Sequence, residues 1–329
     1  MENRLKIGCL LVLPLLFCGS TSIRWGFFGH QRINRIAVFT LPIEMLPFYK
    51  KNIQYITENA VNPDRRRYAV ANEAPRHYID LDVYGDSALY KIPRYWNDAV
   101  ERYTEDTLQA YGIVPWHINS VKNWLTTAFT NRDLDAILRL SADLGHYIGD
   151  ANVPLHTTEN YNGQFSGQYG IHGFWESRLP ELFYDEYDLF TGGAEYVDNV
   201  QLKAWEAVTN AHLALDSVLT FEKGLSTERT EDKKYSFEER GTTVQQVYSR
   251  EYSRAYHTML DGMVERRMKA SIKMIGDLWY TAWVDGGQPD LNQLMTKDLT
   301  DEEKALLEKE IEEWKTRKYK SREHESGSR

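Results

Sequence analysis

His146 and Asp150 stand four residues apart in the apolar-periodic stretch 133–150, and the same spacing returns at His172 and Glu176. Residues four apart on a helix share one face, so each pair can aim a ring nitrogen and a carboxylate oxygen at a single cation. One such pair is a frequent accident of helical sequences and usually ends as a surface hydrogen bond. Two pairs with Pro154 and His156 between them ask the chain to gather separate segments at one place. No other feature constrains the fold as much.

Apolar residues recur at helical spacing in Ile33, Ile36 and Ala37, and again in Ile137, Leu138, Leu140, Leu144, Tyr147 and Ile148. The same period runs through residues 94–111, 117–130 and 199–221. It is longest in 243–284, where Val247, Tyr252, Tyr256, Leu260, Val264, Met268, Ile272, Ile275 and Trp279 form one stripe that Gly262 interrupts. There is no internal repeat and no series of strands at regular spacing. The pattern predicts an all-α protein, a single compact multi-helix domain over residues 23–295. Two loops stand out: 61–80, with Pro63 and Pro75, and 151–173, with Pro154, Gly163, Gly167, Gly170 and Gly173.

The ends read differently. Arg4 and Lys6 precede the apolar run Ile7 to Phe17, and the small residues Gly19, Ser20 and Ser22 follow it, so residues 1–22 read as a secretory signal. The run is too short to span a bilayer; a buried N-terminal helix is the alternative. Export to the periplasm or the medium is expected, with lipoprotein anchoring at Cys18 as the lesser option beside a poorly suited Phe17. Both cysteines, Cys9 and Cys18, fall in or beside that run, so the mature chain forms no disulfide and depends on packing or metal for stability. Residues 296–329 are a run of Lys, Glu and Arg with few large apolar residues beyond Leu306, Leu307, Ile311 and Trp314, and read as a charged helical tail.

A hydrophobic content of 42% with 26% charged residues fits a soluble globular chain, not a disordered or membrane-spanning one. The net charge is -9, and removing residues 1–24 makes it more negative, because Arg4, Lys6 and Arg24 leave with only Glu2. Such a body does not bind nucleic acid unspecifically through lysine and arginine, although bound cations could reverse the sign inside one cleft. Neither a Gly-x-Ser-x-Gly elbow nor a Gly-x-x-x-x-Gly-Lys loop occurs, so serine acyl transfer and nucleoside triphosphate chemistry have no support.

Five of the nine histidines, His30, His77, His146, His156 and His172, sit beside patterned carboxylates, glycines or prolines. His30 closes the segment Trp25-Gly26-Phe27-Phe28-Gly29-His30, and Asp64 precedes His77 in Pro75-Arg76-His77-Tyr78-Ile79-Asp80. In the order Trp25, His30, Asp64, His77, His146, Asp150, His156, His172, Glu176, the chain resembles the superfamily of bacterial zinc-dependent phospholipase C and fungal single-strand-specific zinc nucleases, over residues 25–285. The resemblance implies that the helical domain is built around a trinuclear zinc site, with three zinc ions held by those nine residues. It places Asp64, His77, His146 and Asp150 on one zinc, and His156, His172 and Glu176 on another. The bridges stay open: the Asp64 zinc pairs with the one held by His156, His172 and Glu176, with Asp64 itself as one candidate bridge, or Asp150 links it to a zinc of Trp25 and His30. In the family the tryptophan is the mature N-terminus and gives its amino group and carbonyl to zinc. Arg24 directly before Trp25 departs from a signal-peptidase site, so Ile23 and Arg24 would need trimming. The Trp-x-x-x-x-His opening looks like the nucleases, whereas glutamate at position 176 looks like the phospholipases.

The resemblance implies a hydrolase that cleaves phosphodiester bonds, phospholipase C-like, with zinc lowering the pKa of its water from about 15.7 to about 7 for in-line attack on phosphorus. Asp64 is read both as ligand and as the catalytic group that orients or deprotonates the water. The implied partner is a phosphate ester: a phospholipid headgroup met in transient contact with a membrane surface, or single-stranded DNA or RNA if the chain is a nuclease. No obligate protein partner is implied. Tyr161, Phe165, Tyr169, Phe174 and Trp175 could stack on a base or line a headgroup site, or simply pack under the loop. Asp143 and Asp80 are read as acceptors that orient ligand histidines, and His117, His212, His257 and His324 as surface, core or tail residues. A reading from another class is a non-catalytic, zinc-stabilised binding protein. Mixed histidine and carboxylate sets with room for water speak for catalysis instead.

Overall fold

Leu134–Ala151 is a helix because Asp133 caps it, its side chain accepting a hydrogen bond from the Ala136 amide at 3.1 Å, and because apolar residues follow on every face. From Leu140 to Ala151 every residue is buried, as in a helix enclosed by others. The computed structural model describes residues 27–240, 243–296 and 305. In chain order its main helices are α1 (Phe27–Ala37), α2 (Ile53–Asn59), α3 (Asn62–Arg66), α4 (Val114–Asn131), α5 (Leu134–Ala151), α6 (Val200–Glu228), α7 (Arg250–Met259) and α8 (Met263–Asp285). Helices α1, α2, α4, α6 and α8 all pack on α5, and one hydrophobic core runs through them. Its centre is marked by Trp279, stacked on Tyr49 with ring centroids 4.9 Å apart and donating from Nε1 to the Ser141 carbonyl.

The approach of α1 to α5 fixes where the site can form. A Cβ on Gly145 would lie 2.0 Å from Asn34 Oδ1, and one on Gly149 would lie 2.8 Å from His30 Nδ1. Glycine in a helix interior costs about 1 kcal/mol relative to alanine. Here it lets α1 come close enough for His30 to lie beside Asp150.

The all-α expectation holds for most of the chain. Residues 117–130 lie within α4, and 133–150 and 199–221 match α5 and α6 with Asp133 and Asn199 as their N-caps. Two stretches differ. Residues 94–111 form two short helices, Trp96–Tyr103 and Glu105–Tyr111, separated at Thr104, whose φ of 68° no helix continues. The predicted helix over 243–284 begins instead with a strand. The antiparallel hairpin of β1 (Tyr235–Arg240) and β2 (Thr243–Tyr248) precedes α7, and Asp261 and Gly262, both at positive φ, separate α7 from α8. Thr243, Val244, Val247 and Tyr248 are β-branched or aromatic, which suits a pleated surface better than a helix. Even so, the whole stripe from Val247 to Trp279 is buried. The secretory signal, both cysteines, Trp25 and His324 lie outside the described residues, as does nearly all of the charged tail. Among the described residues no helix is long and apolar enough to cross a membrane.

Candidate metal centre

Six segments carry the candidate ligands to one end of α5. His30 comes from α1, Asp64 from α3, whose Pro63 suits its first turn, and His146 and Asp150 from the last turns of α5. His77 ends the 3₁₀ turn Ala74–His77, and His156 lies in the 3₁₀ turn Pro154–Thr157. His172 and Glu176 follow on a short helix, Ile171–Gly173, that winds on as a π-helix over Phe174–Arg178. The unforeseen hairpin holds this last segment. Arg178 donates to the Tyr248 carbonyl at 3.1 Å and to Glu238 at 3.0 Å, and Phe174 stacks on Tyr248 at 3.8 Å.

Eight of the nine predicted ligands are described, and all eight come together. Asp150 Oδ2 lies 2.8 Å from His77 Nδ1 and 3.2 Å from His146 Nε2. Its Oδ1 turns the other way, 3.4 Å from His30 Nε2 and 3.8 Å from His156 Nδ1. Glu176 Oε2 lies 2.6 Å from His172 Nε2 and 3.4 Å from His156 Nε2, while Oε1 reaches His30 Nε2 at 3.3 Å. Asp64 Oδ1 stands 3.7 Å from His146 Nε2 and 3.8 Å from His77 Nδ1. The five histidines and Asp150 are at most 5% exposed. Asp64, with 21% of its side chain exposed, is the most open of the eight.

The outer ring nitrogens show what the inner ones face. His146 Nδ1 donates to the Ala60 carbonyl at 2.9 Å, and His156 Nδ1 donates to the His77 carbonyl. Each neutral ring is thereby left with its lone pair on Nε2. These lone pairs face further ring nitrogens and carboxylates: His156 Nε2 faces His172 Nε2, 3.1 Å away, and Glu176; His146 Nε2 faces His77 Nδ1, also 3.1 Å away, and Asp150. Acceptors facing acceptors in a dry site repel unless a proton or a cation lies between them. Ligands in a tetrahedron with bonds of about 2.1 Å stand about 3.4 Å apart, and the separations here run from 2.6 to 3.8 Å. The groups His77–His146–Asp150, His156–His172–Glu176, His30–Asp150–Glu176 and His30–Asp64–His146 can each hold a metal ion.

The electrostatics agree. Burial works to raise the Asp150 carboxyl, but His146, His156 and the bond from His30 outweigh it and hold the group well below the usual carboxylate range. Burial also works to raise Glu176, and His156, His172 and His30 hold it down. Burial alone would lower His30, yet the carboxylates of Asp150 and Glu176 raise it well above an ordinary imidazole. The cluster is negative ground that attracts positive charge.

The remaining expectations divide. Phe174 and Trp175 are core residues, 1% and 3% exposed, while Phe165 and Tyr169 are exposed. Tyr161 stands at the site, its ring 5.9 Å from that of His172. His117 is buried edge-on against Tyr147, His212 pairs with Thr157 at 3.0 Å, and His257 pairs with the Tyr187 hydroxyl at 2.8 Å. Asp143 does not orient a ligand histidine, because both of its oxygens accept from Arg66, at 3.0 and 3.2 Å. Asp80 is buried and belongs to none of the four groups. A buried carboxylate outside the candidate set, Glu73, stands behind one of its histidines, with Oε1 3.8 Å from His77 Nε2. It stands four residues before His77, the spacing of the other pairs in reverse order, which is the signal by which it could have been found. The chain matches no protein-family model and no curated protein.

Proposed function

We propose that the chain is a zinc-dependent phosphodiester hydrolase, phospholipase C-like, holding three zinc ions with Trp25 as the ninth ligand. One observation carries this reading: eight histidines and carboxylates from distant segments form one continuous buried cluster whose most exposed member is Asp64. Mixed nitrogen and oxygen ligand sets suit zinc, and sets that leave room for water suit catalysis. Bound zinc supplies a water of low pKa and positive charge for the phosphate oxygens. The residues supply the rest. His30, His77, His146, His156 and His172 are set by packing before any substrate arrives, and Asp64 is placed to accept a proton at its carboxylate. Arg67, whose Nη1 is 3.6 Å from Asp64 Oδ1, puts a guanidinium beside that carboxylate, where it can pair with a phosphate oxygen. With residues 1–22 as an export signal, the enzyme works in the periplasm or outside the cell, on lipid headgroups at a membrane surface it touches transiently.

A nuclease on the same site is the second reading, supported by the half-buried Tyr161 ring beside His172, which could stack on a base. The test is to offer the purified, zinc-loaded protein phosphatidylcholine liposomes and, separately, single-stranded DNA and RNA. Release of a phosphorylated headgroup supports the phospholipase reading. Acid-soluble nucleotides alone move the assignment to the nuclease. Bound zinc with no turnover of any phosphodiester leaves the non-catalytic, zinc-stabilised binding protein as the answer.

A further inference from the structure

We infer that Glu73 is a positioning residue for the metal centre: it holds the outer nitrogen of His77 so that Nδ1 faces the cation. The inference rests on the reading of His77 as a metal ligand. His77 Nδ1 points inward, 2.8 Å from Asp150 and 3.1 Å from His146 Nε2. Its Nε2 is buried and makes no hydrogen bond, and the carboxylate of Glu73 lies 3.8 Å from it, within ion-pair distance. A ring bound through Nδ1 carries its proton on Nε2, and a carboxylate behind that proton fixes the tautomer and makes the ring a stronger donor to the metal.

His77, His146 and His156 are not held alike. His146 and His156 rest on the neutral carbonyls of Ala60 and His77. Asp150 Oδ1, from within the candidate set, also lies 3.8 Å from His156 Nδ1, but of the three only His77 has behind it a carboxylate that belongs to none of the four groups. That anion is itself secured on all sides. Glu73 is fully buried; its Oε2 accepts from Arg76 at 2.6 Å, and its Oε1 accepts from the Tyr147 hydroxyl and, at 3.5 Å, from Arg66. Arg66 is held in turn by Asp143. An uncharged substitute of the same shape would leave the fold and remove the charge that reaches the metal through the ring.

The test is cobalt and zinc binding by the purified protein. Chelator competition gives the affinity, metal analysis the stoichiometry, and the Co²⁺ absorption bands the coordination. Glu73→Gln should bind the ion at His77 about 10- to 100-fold more weakly, with altered Co²⁺ bands. Glu73→Leu should lose that ion entirely, so that glutamine counts as partial rescue. Asp143→Asn removes a partner of Arg66 in the same buried network without touching His77, and should keep wild-type affinity and spectrum. Wild-type affinity and spectrum in Glu73→Gln, judged folded by circular dichroism, overturn the role of Glu73. An equal loss in Asp143→Asn overturns it too, because the network would then act through the fold. A wild-type protein that takes up no metal overturns the metal reading itself, a result that none of the variant outcomes can imitate.

Discussion

Asp150 and Glu176 flank the same nitrogen, standing 3.4 and 3.3 Å from His30 Nε2. Each carboxylate gives its other oxygen to a different set of histidines: Asp150 Oδ2 to His77 and His146, Glu176 Oε2 to His156 and His172. His30 is therefore the joint through which the cluster becomes one body. Asp150 faces two groups at once, whereas the contacts of Asp64 run through a single oxygen to His77 and His146.

Substitution of Asp150 tests that double role. Asp150→Asn keeps the volume but removes a charge completely buried among imidazoles. Because the side chain faces both the His77–His146 group and the His30 group, metal should become at least about 100-fold weaker at two positions, beyond the 10- to 100-fold typical of outer-shell changes. Loss of a single equivalent in metal analysis would reduce Asp150 to a ligand of one ion.

The approach of α1 to α5 can be tested without altering any ligand. Gly149→Ala gains helix propensity, yet the new Cβ would meet His30 Nδ1 at 2.8 Å and Ile33 Cδ1 at 2.9 Å. Overpacking of this kind costs about 1–3 kcal/mol, and here it displaces a candidate ligand, so stability and metal content should fall together. Gly224→Ala in α6 meets nothing within 4 Å and should instead stabilise by about 0.4–1 kcal/mol. Urea unfolding of both variants checks the opposite signs.

The helices and the two four-residue pairs were legible because both depend on spacing, whereas His30, Asp64 and His77 joined the candidate set through the family resemblance. Apolar periodicity located α4, α5 and α6 to within a few residues at most ends, and the four-residue pairs His146–Asp150 and His172–Glu176 do converge. What spacing could not carry is choice between partners. The stripe from Val247 to Trp279 satisfies burial equally well as one helix or as strand, helix and helix; the hairpin wins because Tyr248 has Phe174 to stack on and Arg178 to bond. Asp143 and Glu73 are likewise both acids within reach of the cluster in sequence. Arg66 claims Asp143 across 77 residues, a competition visible only in three dimensions.

His117 gives a pH signature from a histidine outside the candidate ligand set. Burial pushes it from 6.5 down to about 3. Between those values the unfolded chain binds a proton that the folded protein refuses, so stability rises with pH there and is lost as pH falls from about 6.5 toward 3. One such group contributes a slope of up to about 1.4 kcal/mol per pH unit. In metal-free protein, His117→Phe, which can keep the edge-on contact with Tyr147, should show a shallower acid limb in urea midpoints between pH 6 and pH 4. Parallel limbs for the two proteins would mean that His117 is charged, or freely hydrated, in the folded state.

Asp64 is where the proposed catalysis can be told apart from mere metal storage. Its contacts with His77 and His146, at 3.7–3.8 Å, are longer than those that Asp150 makes with the same rings, and its side chain is the most exposed of the eight. On the proposed reading it is thus the candidate ligand whose loss the remaining set tolerates best and the carboxylate most open to an attacking water. Asp64→Asn should keep at least the ion of His156, His172 and Glu176 and unfold at nearly the wild-type urea concentration. Its kcat on the substrate found by the liposome and nucleic-acid assays should fall about 10²- to 10⁴-fold, the range of a positioned proton acceptor. A variant that binds less metal but turns over what remains at the wild-type rate per ion would make Asp64 a ligand only. Unchanged turnover on every phosphodiester offered would leave the metals a structural task, and the function would then have to be sought in what the folded protein binds.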